Sequence, residues 1–385
     1  MSYFLLPETN TIINDINLTE KTSSNLSISI TLHNYLNNVK KQIDDNFENW
    51  DFVKKYTNPY EFIHTIIPGN KSSISKIKPL SRSFYKMIEI CNLLNILDDF
   101  KYDEIKTFHL AEGPGGFIEA TTYLRNNERD NYIGMTLIND DPNVPGWKKS
   151  DSFLSKHKNI FIEKGQTETG DLLKIENLKY CYDKYNNSIN IITADGGFDF
   201  SVDFNQQEFL ATKLLFAQVS FALLMQKING HFILKVFDIF SKSTLDIIYL
   251  LSSCYKQVYI VKPNTSRLAN SEKYIVCKYF KGITENLIFS ILHQYPKLES
   301  INSISSIFDN NHDLYFINKI EEYNAIFGQQ QIENIASTLN LIDSKNKNEK
   351  LELYKKNNIN KCIQWCEKNN ISHNKFANST NIFMS

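Results

Sequence analysis

Between residues 107 and 279 the chain repeats one texture: a short Ile, Val, Phe or Tyr run, a loop or helically periodic segment, then another such run. Strand-like runs alternating with helical patterns predict a parallel α/β sheet. Seven strands are predicted, at 107–111, 132–137, 160–163, 189–194, 232–236, 257–261 and 274–279. Residues 206–228 are apolar at helical spacing through Leu210, Leu214, Phe221 and Met225, as suits a crossover helix covering the sheet. The last two strands are joined by PNTSRLANSE, which is too short for such a helix, so the seventh strand is predicted to run antiparallel.

The flanks read differently. Residues 1–79 alternate Asn/Ser-rich stretches with helical patches such as 32–52 and predict a helical N-terminal region. Residues 80–284 hold the α/β domain, and 285–385 predict a helical C-terminal extension. The balance of 42 Lys and Arg against 43 Asp and Glu argues against a polycation that coats nucleic acid and leaves room for a local basic groove. The six cysteines form no C-x-x-C pair, which fits a reducing compartment and suggests no metal. The longest apolar stretch, 214–226, falls short of the roughly 20 residues that span a bilayer. MSYFLLPETN lacks the basic start of a secretory signal, so an intracellular, soluble protein is expected.

Ten of the 13 glycines lie between 113 and 230, three of them within HLAEGPGGF. Gly113, Gly115 and Gly116 follow a predicted strand and open a helical pattern, so the turn can aim peptide N–H groups at an anionic ligand or serve simply as a structural turn. Neither G-x-G-x-x-G nor a Walker loop is met, because position 118 is Ile and no G-K-[ST] follows. Polar groups converge where several strands end, at Glu112, Thr136, Asp171 and Asp195, and ligands of open α/β sheets sit outside such ends.

Lys235 stands inside HFILKVFDIF, a run suited to a strand buried on both faces. It either reaches water at the strand end or needs a carboxylate partner or a chemical role. Asp195 closes IITAD before Gly196 and Gly197; it marks either a hairpin turn or the carboxyl edge of the sheet beside the first glycine loop. Glu272 opens the seventh strand and Lys86 lies on a helical pattern; taken singly, each reads as an ordinary polar residue.

Together these segments resemble the FtsJ-type RNA ribose 2′-O-methyltransferases, and most closely those that methylate the first transcribed nucleotide of capped mRNA, homologues in large DNA viruses included. The family's Lys-Asp-Lys-Glu tetrad matches Lys86 in SRSFYKM, Asp195 in TADGGF, Lys235 in HFILKVFDIF and Glu272 in TSRLANSEKYIVCK. The cofactor loop is similar at Glu112, Gly113, Pro114, Gly115, Gly116 and Phe117; GMTL at 134–137 and NPYEFI at 58–63 also match. The resemblance covers roughly residues 50–282, and it departs at Thr136, where many relatives carry an acidic residue toward the cofactor ribose.

The resemblance implies a Rossmann-like fold and S-adenosylmethionine as methyl donor, held by the Glu112–Phe117 loop, Thr136, Asp195 and, at the adenine, Asp171. It also implies capped mRNA as substrate, with other capping or transcription enzymes as partners. The setting would be a cytoplasmic factory or virion for a viral protein and the nucleus for a cellular one. Lys71, Lys76, Lys78 and Arg82, with Ser266 and Arg267, are expected along the RNA path or in a solvated loop. Methylation of internal rRNA or tRNA riboses, or a silent RNA-binding subunit, are the alternative activities.

Overall fold

A computed structural model of the chain describes residues 2–9, 11–20, 26–139, 141, 146–197, 207–309 and 312–375. Phe198 of TADGGF and Gln206 at the start of the predicted crossover helix lie outside them. All seven predicted strands form: β2 (Lys106–Leu110), β3 (Asn131–Met135), β4 (Ile160–Ile162), β5 (Ile189–Ala194), β6 (Gln226–Val236), β7 (Tyr255–Lys262) and β8 (Lys273–Phe280). An eighth, β1 (Ser2–Leu5), was not expected from the N-terminal region. It pairs antiparallel with β7, Ser2 opposite Lys262 and Leu5 opposite Tyr259. Four residues with Tyr3 and Leu5 half exposed carry too weak a local pattern; the β7 edge is what makes them a strand.

The sheet order is β1-β7-β8-β6-β5-β2-β3-β4. β4, β3, β2, β5 and β6 run parallel, and β8 enters antiparallel between β6 and β7. Neighbours of β2 lie on both sides, β3 one way and β5 the other, so the order reverses there. The crevice beyond the strand ends opens at that reversal. β2 stops one residue early because Ala111 takes a left-handed φ of 53°, which turns the chain out of the sheet.

Both faces of the sheet are covered. Ile192 and Leu234 face one core, built with α6 (Ile175–Tyr185), α7 (Gln207–Met225), α8 (Lys242–Cys254) and α9 (Glu285–Gln294). Ile191 and Ile233 face the other, with α3 (Ser83–Leu94) and α4 (Gly116–Arg125). Side chains alternate across the pleat, so two packed faces require the near-continuous apolar strands seen in the sequence. α7 ends at Met225, three residues before the predicted end, because Gln226 already donates to the Ile189 and Asn190 carbonyls as β6 begins. It is the one helix among the described residues long and apolar enough to cross a membrane, and 78% of its apolar window is buried inside the protein.

The flanking helices join each other. α1 (Ile30–Asp44) and α2 (Phe47–Thr57) pack on α10 (Leu314–Ile342), while α11 (Lys347–Lys368) packs on α2 and on the short turn Glu61–Ile63. The short helix α5 (Asp151–Lys156) lies between β3 and β4 in the chain. Cys362 and Cys366, one turn apart, are both buried in the α3-side core, as their spacing on a helix suggests.

His109 is fully buried in β2 between the Thr107 and Thr193 hydroxyls, each 2.8 Å away, and burial pushes its pKa down to about 3. A folded value below the unfolded one means that the unfolded chain binds the extra proton as the pH falls below about 6.5. Stability is therefore expected to fall by about 2 kcal/mol more between pH 7 and pH 5 in the parent than in His109→Gln. Urea titrations at both pH values check this; equal losses reject it.

Candidate active site

The site is assembled at the carboxyl ends of β2, β5 and β6 and the start of β8. Asp195 follows β5, and Lys235 sits in β6 directly opposite Tyr274 of β8. Side chains at directly opposed positions share a face, which aims the Lys235 ammonium and the Tyr274 hydroxyl at the same space. Lys235 Nζ donates to the Asp195 carbonyl at 2.5 Å and lies 3.4 Å from Asp195 Oδ1. Tyr274 Oη donates to that same Oδ1 at 2.9 Å. The second glycine of TADGGF makes room for this: a Cβ on Gly197 would lie 3.2 Å from Lys235 Nζ.

Lys86, on the buried face of α3, meets both oxygens of Glu272 at 2.7 and 2.8 Å. Ser266 Oγ donates to Glu272 Oε1 at 2.9 Å. Burial pushes the Glu272 carboxyl up, but Lys86 and Lys235 outweigh it and hold the group well below the usual carboxylate range. The four tetrad residues thus come together as two lysine–carboxylate pairs coupled through Lys235, with charges that offset each other in a partly dry pocket. The side chains of Lys235 and Asp195 remain 13% and 15% exposed, so the pair can be reached from outside.

The glycine loop closes against the same pocket. The Gly113–Pro114 peptide is cis, Gly115 N–H donates to the Glu112 carbonyl, and α4 starts at Gly116. The helix N-terminus is not open to an anion as expected: the Phe117 and Ile118 amides both donate to Glu112 Oε1, at 2.5 and 3.3 Å. A carboxylate is favoured there by the helix dipole. The Phe117 side chain is buried in the core against Tyr274, so the residue serves the loop through its backbone and packing.

Glu112 Oε2 is buried with no hydrogen-bond partner. Burial and the nearby Asp195 push this carboxyl well up, against the pull of the two amides and Lys235. An orphaned acidic oxygen beside the glycine turn fits a cationic, donor-bearing ligand, which would return the group to its charged form.

Thr136 directly follows β3 and is buried. A Cβ on Gly170 would stand 2.0 Å from the Thr136 carbonyl oxygen, and Gly170 has a left-handed φ of 64°, so only glycine allows the TGD turn to lie on the strand end. That contact places Asp171 beside Thr136. One Asp171 oxygen accepts from Leu173 N–H at 2.9 Å. Trp147, which the sequence reading passed over, packs over Gly115 and Gly134.

A family model described as FtsJ-like methyltransferase matches residues 79–280. This chain belongs to the FtsJ-like methyltransferase family. Cap-specific mRNA (nucleoside-2′-O-)-methyltransferase 2 of Danio rerio is 30% identical over 326 residues, covering 80% of this chain and 43% of that protein. Cap-specific mRNA (nucleoside-2′-O-)-methyltransferase 1 of Mus musculus is 31% identical over 294 residues, covering 69% and 34%. The FtsJ-like chain thus spans less than half the length of these curated relatives. Among solved structures, a Plasmodium falciparum protein described as a ribosomal RNA methyltransferase aligns with 52% of this chain and 98% of its own, at 20% identity and a TM-score of 0.38.

The basic residues of this FtsJ-like chain divide into two sets. Lys71, Lys76 and Lys78 are exposed and form no ion pair among the described residues. Arg82 and Arg267 turn inward: Arg267 makes a two-pronged contact with Glu61 of NPYEFI at 2.7 and 3.0 Å, and Arg82 donates to the Thr265 carbonyl while lying 3.9 Å from Glu61. Ser266, also expected along the RNA path, is buried, and its hydroxyl donates to Glu272 and Asn270. Tyr274 was missed, although it stands in the apolar strand opposite Lys235.

Proposed function

We propose that the chain transfers the methyl group of S-adenosylmethionine to the ribose 2′-hydroxyl of the first transcribed nucleotide of capped mRNA. The observation that supports this most directly is the pairing of Lys86 with Glu272 and of Lys235 with Asp195 beside an orphaned Glu112 oxygen at the sheet's reversal point. The donor supplies an electrophilic methyl on a sulfonium. Residues fit to hold it are Glu112 through Phe117, Thr136, Asp171 and Asp195.

The protein's own task is the hydroxyl, a poor nucleophile until its proton is lost or shared. An ammonium has three N–H donors, and Asp195 accepts at two positions around Lys235 Nζ. Among the described residues no third acceptor is bonded to Lys235 Nζ, which leaves an N–H for a ribose oxygen. From there Lys235 takes the proton if neutral or stabilises the developing alkoxide if cationic. Asp195, itself held by Tyr274, sets the lysine's orientation. The Lys86–Glu272 pair positions the hydroxyl for in-line attack, and holding nucleophile and methyl together removes much of the entropy cost of encounter.

The deciding experiment is transfer of labelled methyl to a short capped transcript, with nuclease mapping of the modified ribose. Label on the first transcribed nucleotide is expected; label on internal positions, or equal transfer to uncapped RNA, rejects the cap assignment.

Lys71, Lys76 and Lys78 are proposed to follow the RNA backbone toward Lys86. Changing all three to glutamine should weaken RNA binding and flatten its dependence on log salt by about 2, since each phosphate contact on single-stranded RNA contributes roughly 0.7. An unchanged slope would remove these lysines from the RNA path.

A further inference from the structure

Residues 263–272 leave β7 and return to β8, and Glu272 stands at the returning end. Several groups hold this loop. Glu89 accepts from the Asn264 and Thr265 amides and the Thr265 hydroxyl, Glu61 grips Arg267, and Gln331 of α10 donates to the Ala269 carbonyl. These contacts act on the outgoing limb and the apex. The returning limb carries Ser271, whose carbonyl accepts from Lys273 and whose hydroxyl donates to Gln207, and it meets Lys262, the last residue of β7, which has no part in the reaction as described above.

Lys262 is buried, 6% exposed. Its Nζ donates three hydrogen bonds of 2.7 Å: to the Asn270 carbonyl, to Asn270 Oδ1 and to the Glu272 carbonyl. Three bonds use every proton of an ammonium. Burial and Lys273 push the Lys262 pKa well below the ordinary lysine value, with Lys86 adding to that, while Glu272 and Asp238 act the other way. A buried cation is costly without satisfied hydrogen bonds, and this one spends all of them across the mouth of a single loop.

We infer that Lys262 is a positioning residue for methyl transfer: it staples the returning limb of the 263–272 loop so that the Glu272 carboxylate stays on Lys86. The inference rests on the tetrad reading given under Proposed function. Without the staple, the Glu272 backbone loses a fixed point one residue from β8, and only Ser266 and Lys86 then hold its carboxylate in place. Displacement of such a group by about 1 Å is enough to lower turnover about 100-fold.

The test compares the parent with Lys262→Met and with Asn270→Ala, which removes from an exposed residue the side-chain acceptor shared by Lys262 and, at 3.3 Å, Ser266. Amide hydrogen exchange over 264–272 is expected to be about tenfold faster in Lys262→Met, with a smaller change in Asn270→Ala. Turnover on a capped transcript should fall about 100-fold in Lys262→Met, with KM for RNA and cofactor affinity within about twofold of the parent. A general loss of structure would raise KM and weaken cofactor binding together. If Lys262→Met does not fold, the Asn270→Ala comparison decides by the same two readouts. Unchanged exchange, or faster exchange with turnover kept, overturns the inference. A parent that methylates no RNA rejects the proposed function instead, and exchange alone then decides whether Lys262 holds the loop.

Discussion

Lys235→Ala is expected to lower kcat for methyl transfer about 10³-fold while the methyl donor still binds, because the substitution removes the group that takes or shares the hydroxyl proton. The surroundings should survive it. Asp195 keeps the Tyr274 hydroxyl on Oδ1, the Glu112 carboxylate keeps the Phe117 and Ile118 amides, and the flanking strand residues Leu234 and Val236 stay in the core. Single-turnover transfer of labelled methyl measures the loss, and calorimetric titration with S-adenosylmethionine measures the retained binding. A variant that turns over like the parent would reject Lys235 as the acting group. One that loses donor binding in parallel would place Lys235 in the cofactor site instead.

The second large effect is on stability. Arg267→Ala leaves the Glu61 carboxylate, 1% exposed, without its two-pronged partner, and breaking such a buried pair costs about 3 kcal/mol. Burial pushes Glu61 up, yet the hydrogen-bonded Arg267 and then Arg82 overcome it and bring the carboxyl down to about 2. With a folded value below the unfolded one, the pair's stabilisation is fully present above about pH 4.5 and is lost as the pH falls toward 2. The gap between parent and variant should therefore be widest near neutrality and narrow in acid. Urea midpoints at pH 7 and pH 3 read this directly, and equal stability at pH 7 would refute it.

That pair also shows where reading the sequence reached its limit. Arg267 in SRLANSE is expected along the RNA path, and nothing near position 267 reveals a buried carboxylate 206 residues away. Lys235 was different, since a charge inside an apolar strand announces its own need for a partner; the structure supplies Asp195 from the adjacent strand. The glycine loop was found for a sound reason but with an incomplete chemistry. Its conformation follows from local residues, whereas the capture of the α4 amides by Glu112 depends on how the side chain folds back on the helix start.

Residue order alone determined the strands β2 to β8, the crossover helix, the antiparallel return of β8 and the need of Lys235 for a partner. Each leaves a local signature in periodicity, loop length or an out-of-place charge, whereas Lys86 and Glu272 were singled out only by the family resemblance. Only the tertiary structure decided that Ser2–Leu5 joins the β7 edge, that Lys86 meets Glu272 while Lys235 meets Asp195, and that Lys262 closes the loop between them. Most of those choices are pairings across long stretches of chain, set by which buried polar groups come within hydrogen-bond reach once the sheet has formed, and no local pattern encodes them.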